Sequence, residues 1–108
     1  MDNELIKEVK GKTYHFKFKS KKLVDLEKLT GKSVLELLQD TSVSNVARLL
    51  KYACLDEIDE YELLDELLET MTYEKIILDI IIETCAVSGL ISKKEVDDIQ
   101  KKAADQKN

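Results

Sequence analysis

The sequence predicts a mostly helical protein: an N-terminal β-hairpin packed on a compact bundle of five to six helices, with a central helix near residues 73–87. Three observations lead there. Residues 5–18 alternate apolar and polar side chains, which is the period of a strand. Capping residues then recur ahead of apolar runs spaced three and four apart, which is the period of a helix. Finally, the stretch from Tyr73 to Val87 is apolar nearly all the way round, as a helix buried on several sides must be.

The elements follow in order. Leu5, Lys7 and Val9 mark the first strand, Gly11 and Lys12 offer a tight turn, and Tyr14, Phe16 and Phe18 alternate with His15, Lys17 and Lys19 in the second. The hairpin therefore has one apolar and one basic face. Two strands alone are not stable in water, so the aromatic face must pack on helices. Ser20 is placed to cap a short helix carrying Leu23, Leu26 and Leu29, which Gly31 ends. Ser33 and Glu36 form a capping box that opens a short helix through Leu38. Residues 41–44 supply several caps for a helix with Val46, Leu49, Leu50, Ala53 and Cys54 on one side. Asp59 starts the next, with Leu63, Leu64, Leu67, Leu68 and Met71. Thr72 caps the central helix, which Ser88 and Gly89 close; Lys75, Asp79 and Glu83, spaced by four, are its polar stripe. Ser92 and Glu95 form a second capping box ahead of Val96 and Ile99. Residues 1–100 are read as one domain and 101–108, without large apolar side chains, as a fraying tail.

Composition bounds the function. At 44% hydrophobic and 36% charged residues, the 108-residue chain belongs with soluble globular proteins rather than disordered ones. No apolar run approaches the roughly 18–20 residues needed to cross a bilayer, and the acidic start Met1-Asp2-Asn3-Glu4 lacks the apolar core of a signal peptide. An intracellular protein with no membrane partner is expected. Cys54 and Cys85, with no CxxC and no neighbouring histidine, read as buried, inert thiols. Charge is unevenly spread: net +4 over residues 1–32, −9 over 33–74 and zero over 75–108. A net charge of −5 with a single arginine, Arg48, argues against gripping nucleic acid, whose affinity comes mainly from cations on phosphates.

No catalytic constellation is visible. His15 is the only histidine, on the polar face of a strand with no acid or nucleophile near it in sequence. Zinc-site spacing and the glycine-rich phosphate and nucleophile motifs are missing. The run Asp56-Glu57-Ile58-Asp59-Glu60-Tyr61 lacks the glycine and ligand spacing of a calcium loop. The chain is expected to be neither an enzyme nor a cofactor binder. One constellation stands out. Glu62, Asp65, Glu66 and Glu69, at i, i+3, i+4 and i+7, give one helix a uniformly acidic face beside Tyr61. Like charges at i, i+4 cost a few tenths of a kcal/mol per pair. Two readings stand: a solvated face that keeps the protein soluble, or a docking face for a basic partner.

The aromatic strand, then Leu26-Glu27 followed by Gly31, then the run Val46 to Ala53, then Tyr61-Glu62-Leu63-Leu64, resembles the tail assembly chaperones of long-tailed bacteriophages over roughly residues 13–87. The resemblance implies a protein that binds the long, helical, aggregation-prone tape-measure protein and keeps it soluble. It would also help recruit tail-tube subunits, act in the cytoplasm of the bacterial host, and be absent from the mature virion. A homo-oligomer is compatible with this reading, and a longer frameshifted form is a family habit. The partner-binding residues would be Tyr61, Glu62, Asp65, Glu66 and Glu69. The alternative is a small intracellular regulator, antitoxin-like or DNA-associated, using the basic hairpin face of Lys17, Lys19, Lys21 and Lys22.

Overall fold

The computed structural model describes residues 3–105. Strands β1 (Leu5–Val9) and β2 (Lys12–Phe16) form an antiparallel hairpin in which Leu5 faces Phe16, Lys7 faces Tyr14 and Val9 faces Lys12. The turn is centred on Lys10 and Gly11, one residue before the expected position, and Lys12 already belongs to β2. Both turn residues have positive φ, 53° and 80°. That is the backbone a two-residue hairpin needs to match strand twist, and it requires glycine most at the second place. Val9, Tyr14, Phe16 and Phe18 are buried, so the apolar face predicted for the hairpin is the one that meets the helices.

Six helices follow among the described residues: α1 (Ser20–Thr30), α2 (Val34–Leu37), α3 (Val43–Ala53), α4 (Glu60–Leu68), a central helix over residues 73–87, and α7 (Lys93–Asp105). The central helix is continuous but not uniform. It comprises α5 (Tyr73–Lys75), a π-helical segment (Ile76–Ile82) and α6 (Glu83–Val87). Ile76, Ile80, Ile81 and Cys85 on it are fully buried, which makes it the core of the bundle as its sequence implied. Stiff, β-branched isoleucines crowd a regular α-turn, and π-helical widening is one way a helix relieves local crowding or re-aims its side chains.

The capping signals resolve in detail. The Ser33 box is complete, with Glu36 N–H donating to Ser33 Oγ (3.2 Å) and Ser33 N–H to Glu36 Oε1 (3.2 Å). The Ser92 box is complete as well, with Glu95 N–H donating to Ser92 Oγ at 3.1 Å. Asp59 accepts from the N–H groups of Tyr61 and Glu62, and Thr72 from that of Lys75. Gly31, at φ 72°, ends α1 in the left-handed conformation. Ser20 is a correction: it is the first residue inside α1, and Lys19 holds the cap position without a side-chain bond. The cause is Phe18, which stays extended so that its ring reaches the core while its N–H donates to Ser88 Oγ at 2.8 Å. Leu29 and Leu68, expected inside, are exposed; Leu23 and Leu26 alone turn α1 inward. Helix α7 continues through Asp105, beyond the point where fraying was expected; residues 106–108 of that tail lie outside the described residues. Lys and Ala are strong helix formers, and Lys102 sits favourably in the last turn.

One buried polar residue ties two elements together. Asn45 on α3 donates through Nδ2 to the carbonyls of Leu37 (2.8 Å) and Asp40 (2.7 Å), closing the end of α2. Its side chain is buried, so those bonds are shielded from water.

Phe16 is the largest fully buried side chain of the hairpin. Phe16→Ala is expected to cost about 3–5 kcal/mol, a large part of the roughly 5–15 kcal/mol that holds a small domain together. Urea denaturation followed by circular dichroism measures it; a loss under about 1 kcal/mol, within the range of an ordinary substitution, would show that the hairpin is not seated as described.

Candidate functional site

The acidic face of α4 divides when the hairpin is placed against it. Glu66 and Glu69 turn toward the hairpin, where Lys12 Nζ meets Glu66 Oε1 at 3.0 Å, Tyr14 Oη donates to Glu66 Oε2, and Lys10 pairs with Glu69. Glu62 and Asp65 remain exposed, as do Tyr61 (56% accessible) and Leu68 (44%). Tyr61, Asp65 and Leu68 are spaced i, i+4, i+7, so they form one stripe, and Glu62 lies between it and Glu66, with its charge also acting on Lys12 and Tyr14. Five residues were expected to share a docking face. Three of them, Tyr61, Glu62 and Asp65, form an outward surface, while Glu66 and Glu69 hold the hairpin. Leu68 joins the stripe where a core position had been expected.

The electrostatics follow from that clamp. The Tyr14 hydroxyl and the Lys12 ammonium beside Glu66 hold its carboxyl below the usual range. Burial, reinforced by the bond to Glu66, pushes the Tyr14 phenol up to about 12. The like-charge cost between Glu62 and Glu66, and between Asp65 and Glu69, is offset because one member of each pair faces a lysine.

A second surface lies where β2 runs into α1. Lys19, Lys22 and Lys51 line a cleft of about 480 Å³ together with Asp56 and Glu57 and with Cys54, Leu55 and Ile58. Lys22 Nζ also stands 5.8 Å from the centre of the Tyr52 ring, within cation–π range, and Lys51 pairs with Glu60 at 3.4 Å. The basic hairpin face is therefore interleaved with carboxylates. His15 has an acid partner that sequence distance concealed: Asp56 Oδ2 accepts from the His15 N–H at 2.8 Å and lies 3.3 Å from Nδ1.

Both cysteines are buried, and burial pushes the Cys85 thiol up to about 12 and the Cys54 thiol upward as well, away from the reactive thiolate. Among the described residues no three His, Cys, Asp or Glu side chains converge to hold a metal ion, and no helix is long and apolar enough to cross a membrane. Compared with protein-family models, curated proteins and solved structures, the chain finds no match.

The clamp makes a signed pH prediction. Glu66 has a lower pKa folded than its ordinary value of 4.5, so the unfolded chain binds its proton more readily. Its contribution is present above that ordinary value and is lost as pH falls through the folded value. Glu66→Gln should therefore flatten the acid limb of the stability–pH curve below about pH 4.5. Urea midpoints of parent and variant between pH 3 and 7 test this (a range set around the carboxyl titration); parallel curves would remove Glu66 from the clamp.

Proposed function

We propose that the protein is a tail assembly chaperone of the long-tailed phage type. It binds a tape-measure protein, keeps it soluble, and helps recruit tail-tube subunits, working in the cytoplasm of the bacterial host and leaving before the virion is complete. It acts by binding and not by catalysis. The observation that carries the reading is the outward stripe of α4, where an exposed Tyr61 and Leu68 bracket Asp65 with Glu62 beside it. A helix that shows water an aromatic ring, a leucine and two carboxylates suits a partner with apolar and basic side chains. Apolar contact would supply affinity, at about 25 cal/mol per Å² before the costs of association. Glu62 and Asp65 would steer the encounter. The sequence resemblance over residues 13–87 points the same way.

The regulator alternative uses Lys17, Lys19, Lys21 and Lys22, and the cleft disfavours it. Asp56 and Glu57 line the same cleft as Lys19 and Lys22, and their charge works against a phosphate backbone there.

The test is co-expression with a tape-measure protein, followed by pull-down and a solubility assay. The discriminating variant is Glu62→Lys with Asp65→Lys, because reversing Glu66 or Glu69 as well would undo the hairpin clamp. Association should slow by about tenfold and lose its salt dependence while the fold is kept. Unchanged association would make the stripe a solvated surface only. Failure of the parent to bind any tape-measure protein would end the chaperone reading, and sub-micromolar binding to duplex DNA with a steep salt slope would replace it with the regulator.

A further inference from the structure

Away from the α4 stripe, the bundle leaves an apolar groove over the π-helical segment. Its floor is Ile77, Leu78 and Ile82, and its cavity volume is about 420 Å³. That lies within the range of about 300–1,000 Å³ seen for binding clefts. Leu35 on α2 and Ile99 on α7 are its exposed apolar lining residues, and Leu38, Leu90 and Ile91 complete the apolar lining. Only Gln39 and Glu95 among the lining residues are polar. Leu35 is 46% accessible and Ile99 39%.

The groove is a built feature with fixed walls. Gln100 on α7 donates to the Leu78 carbonyl at 3.3 Å and to Glu83 Oε1 at 3.0 Å, while Val96 is fully buried beneath the helix. The Ser92 capping box fixes where α7 begins. On the other side, Asn45 holds the end of α2 through the Leu37 carbonyl. The opening exists because α2 is a single turn, too short to cover the floor that the central helix presents.

We propose that this groove is a binding site for one amphipathic helix of a partner protein, with aliphatic side chains at i, i+3, i+4 and i+7 and with Lys or Arg along its edges. Walls made by helices suit a helix laid between them, with its apolar side chains filling the spaces between theirs. A small molecule is a poorer fit, because the lining lacks the convergent polar groups that orient one. The sign of the partner comes from charge complementarity. The segments that build the groove, residues 34–40 and 73–105, carry nine carboxylates against five lysines. Lys93 pairs with two of those carboxylates, Glu83 (3.7 Å) and Asp97 (3.6 Å), so seven others stand against four lysines. The one charged lining residue is Glu95. This site does not depend on the tail-assembly reading, since it is argued from the groove alone.

The probe is a fluorescein-labelled Leu/Lys peptide of about 18 residues, five helical turns, with Leu at the spacing above. A scrambled peptide of the same composition and a Leu/Glu peptide are the controls. Anisotropy titration of the full chain should show saturable binding of the Leu/Lys helix, weakening with salt, and at least about tenfold weaker binding of both controls. Ile99→Lys and Leu35→Lys change exposed lining positions, so circular dichroism should stay that of the parent, and each should weaken binding about tenfold or more. Ile99→Leu should restore it. Methyl NMR shifts should concentrate at Ile77, Ile82 and Ile99. Equal binding of the scrambled peptide, or parental affinity in both lysine variants, overturns the proposal. A parent dimer in light scattering that Ile99→Lys converts to monomer also overturns it, because the occupant is then a second copy.

Discussion

The structure depends on a short stretch of backbone pairing between the outer edge of β2 and the end of α3. In the β1–β2 ladder, Lys12, Tyr14 and Phe16 point their amides at β1, which leaves those of His15 and Lys17 pointing away. Those outward groups find partners: Lys17 N–H donates to the Ala53 carbonyl at 2.8 Å, and Leu55 N–H donates to the His15 carbonyl at 2.7 Å. Phe16 and Cys54 thereby form an antiparallel bridge, and the His15 N–H is taken by Asp56. A hairpin that would not survive alone gains an isolated antiparallel bridge and a seat in the core. The same contact fixes where α3 stops, and so where the chain turns to begin α4.

From that seat follows the clamp between the hairpin and α4. An isolated α4 would carry like charges at i, i+4, and an isolated hairpin would carry Lys10 and Lys12 beside a tyrosine with nothing to donate to. Each element is unfavourable alone in a way that the other offsets. Agreement of this kind between local and long-range interactions is what makes folding cooperative. It also explains why the acidic face is not one functional unit. Glu66 and Glu69 contribute to the fold, and Glu62 and Asp65 stay exposed to solvent.

How much of this was legible in the sequence depends on distance along the chain. Local signals read well: the hairpin alternation, both Ser–Glu capping boxes, Asp59 and Thr72 as caps, Gly31 as a stop, and the buried central helix. Non-local ones did not. Asp56 reaches His15 only because β2 lies along residues 53–55, which no local pattern announces. The Lys10 and Lys12 pairs with α4 have only a coarse counterpart in the sequence, the opposite net charges of residues 1–32 and 33–74, which names no partners. Ser20 looked like a cap because residue type favours it there, yet burial of Phe18 decided where α1 begins. The π-helical segment has no type-level signature either. An isoleucine-rich run fits a strand, an α-helix or a widened helix, and the surrounding bundle makes the choice.

The groove and the α4 stripe answer to different physics. The stripe is sparse in apolar area and rich in charge, so in the proposed role its effect would fall on the rate and orientation of encounter, and salt would screen it. The groove is apolar with little charge, so in the role proposed for it its effect would fall on residence once a partner is seated. Its origin is an excess of apolar side chains on the central helix over what the shorter helices can cover. The hairpin and α3 cover one side; α2 is four residues long, and α7 buries only Val96 fully among its described side chains. Filling the groove with larger side chains from α2 or α7 would stabilise the bundle, whereas this sequence places the half-exposed Leu35 and Ile99 in its lining and pins the two flanking helices with Asn45 and Gln100. Polar anchors that hold two walls apart over an apolar floor make physical sense when something else is meant to lie between them.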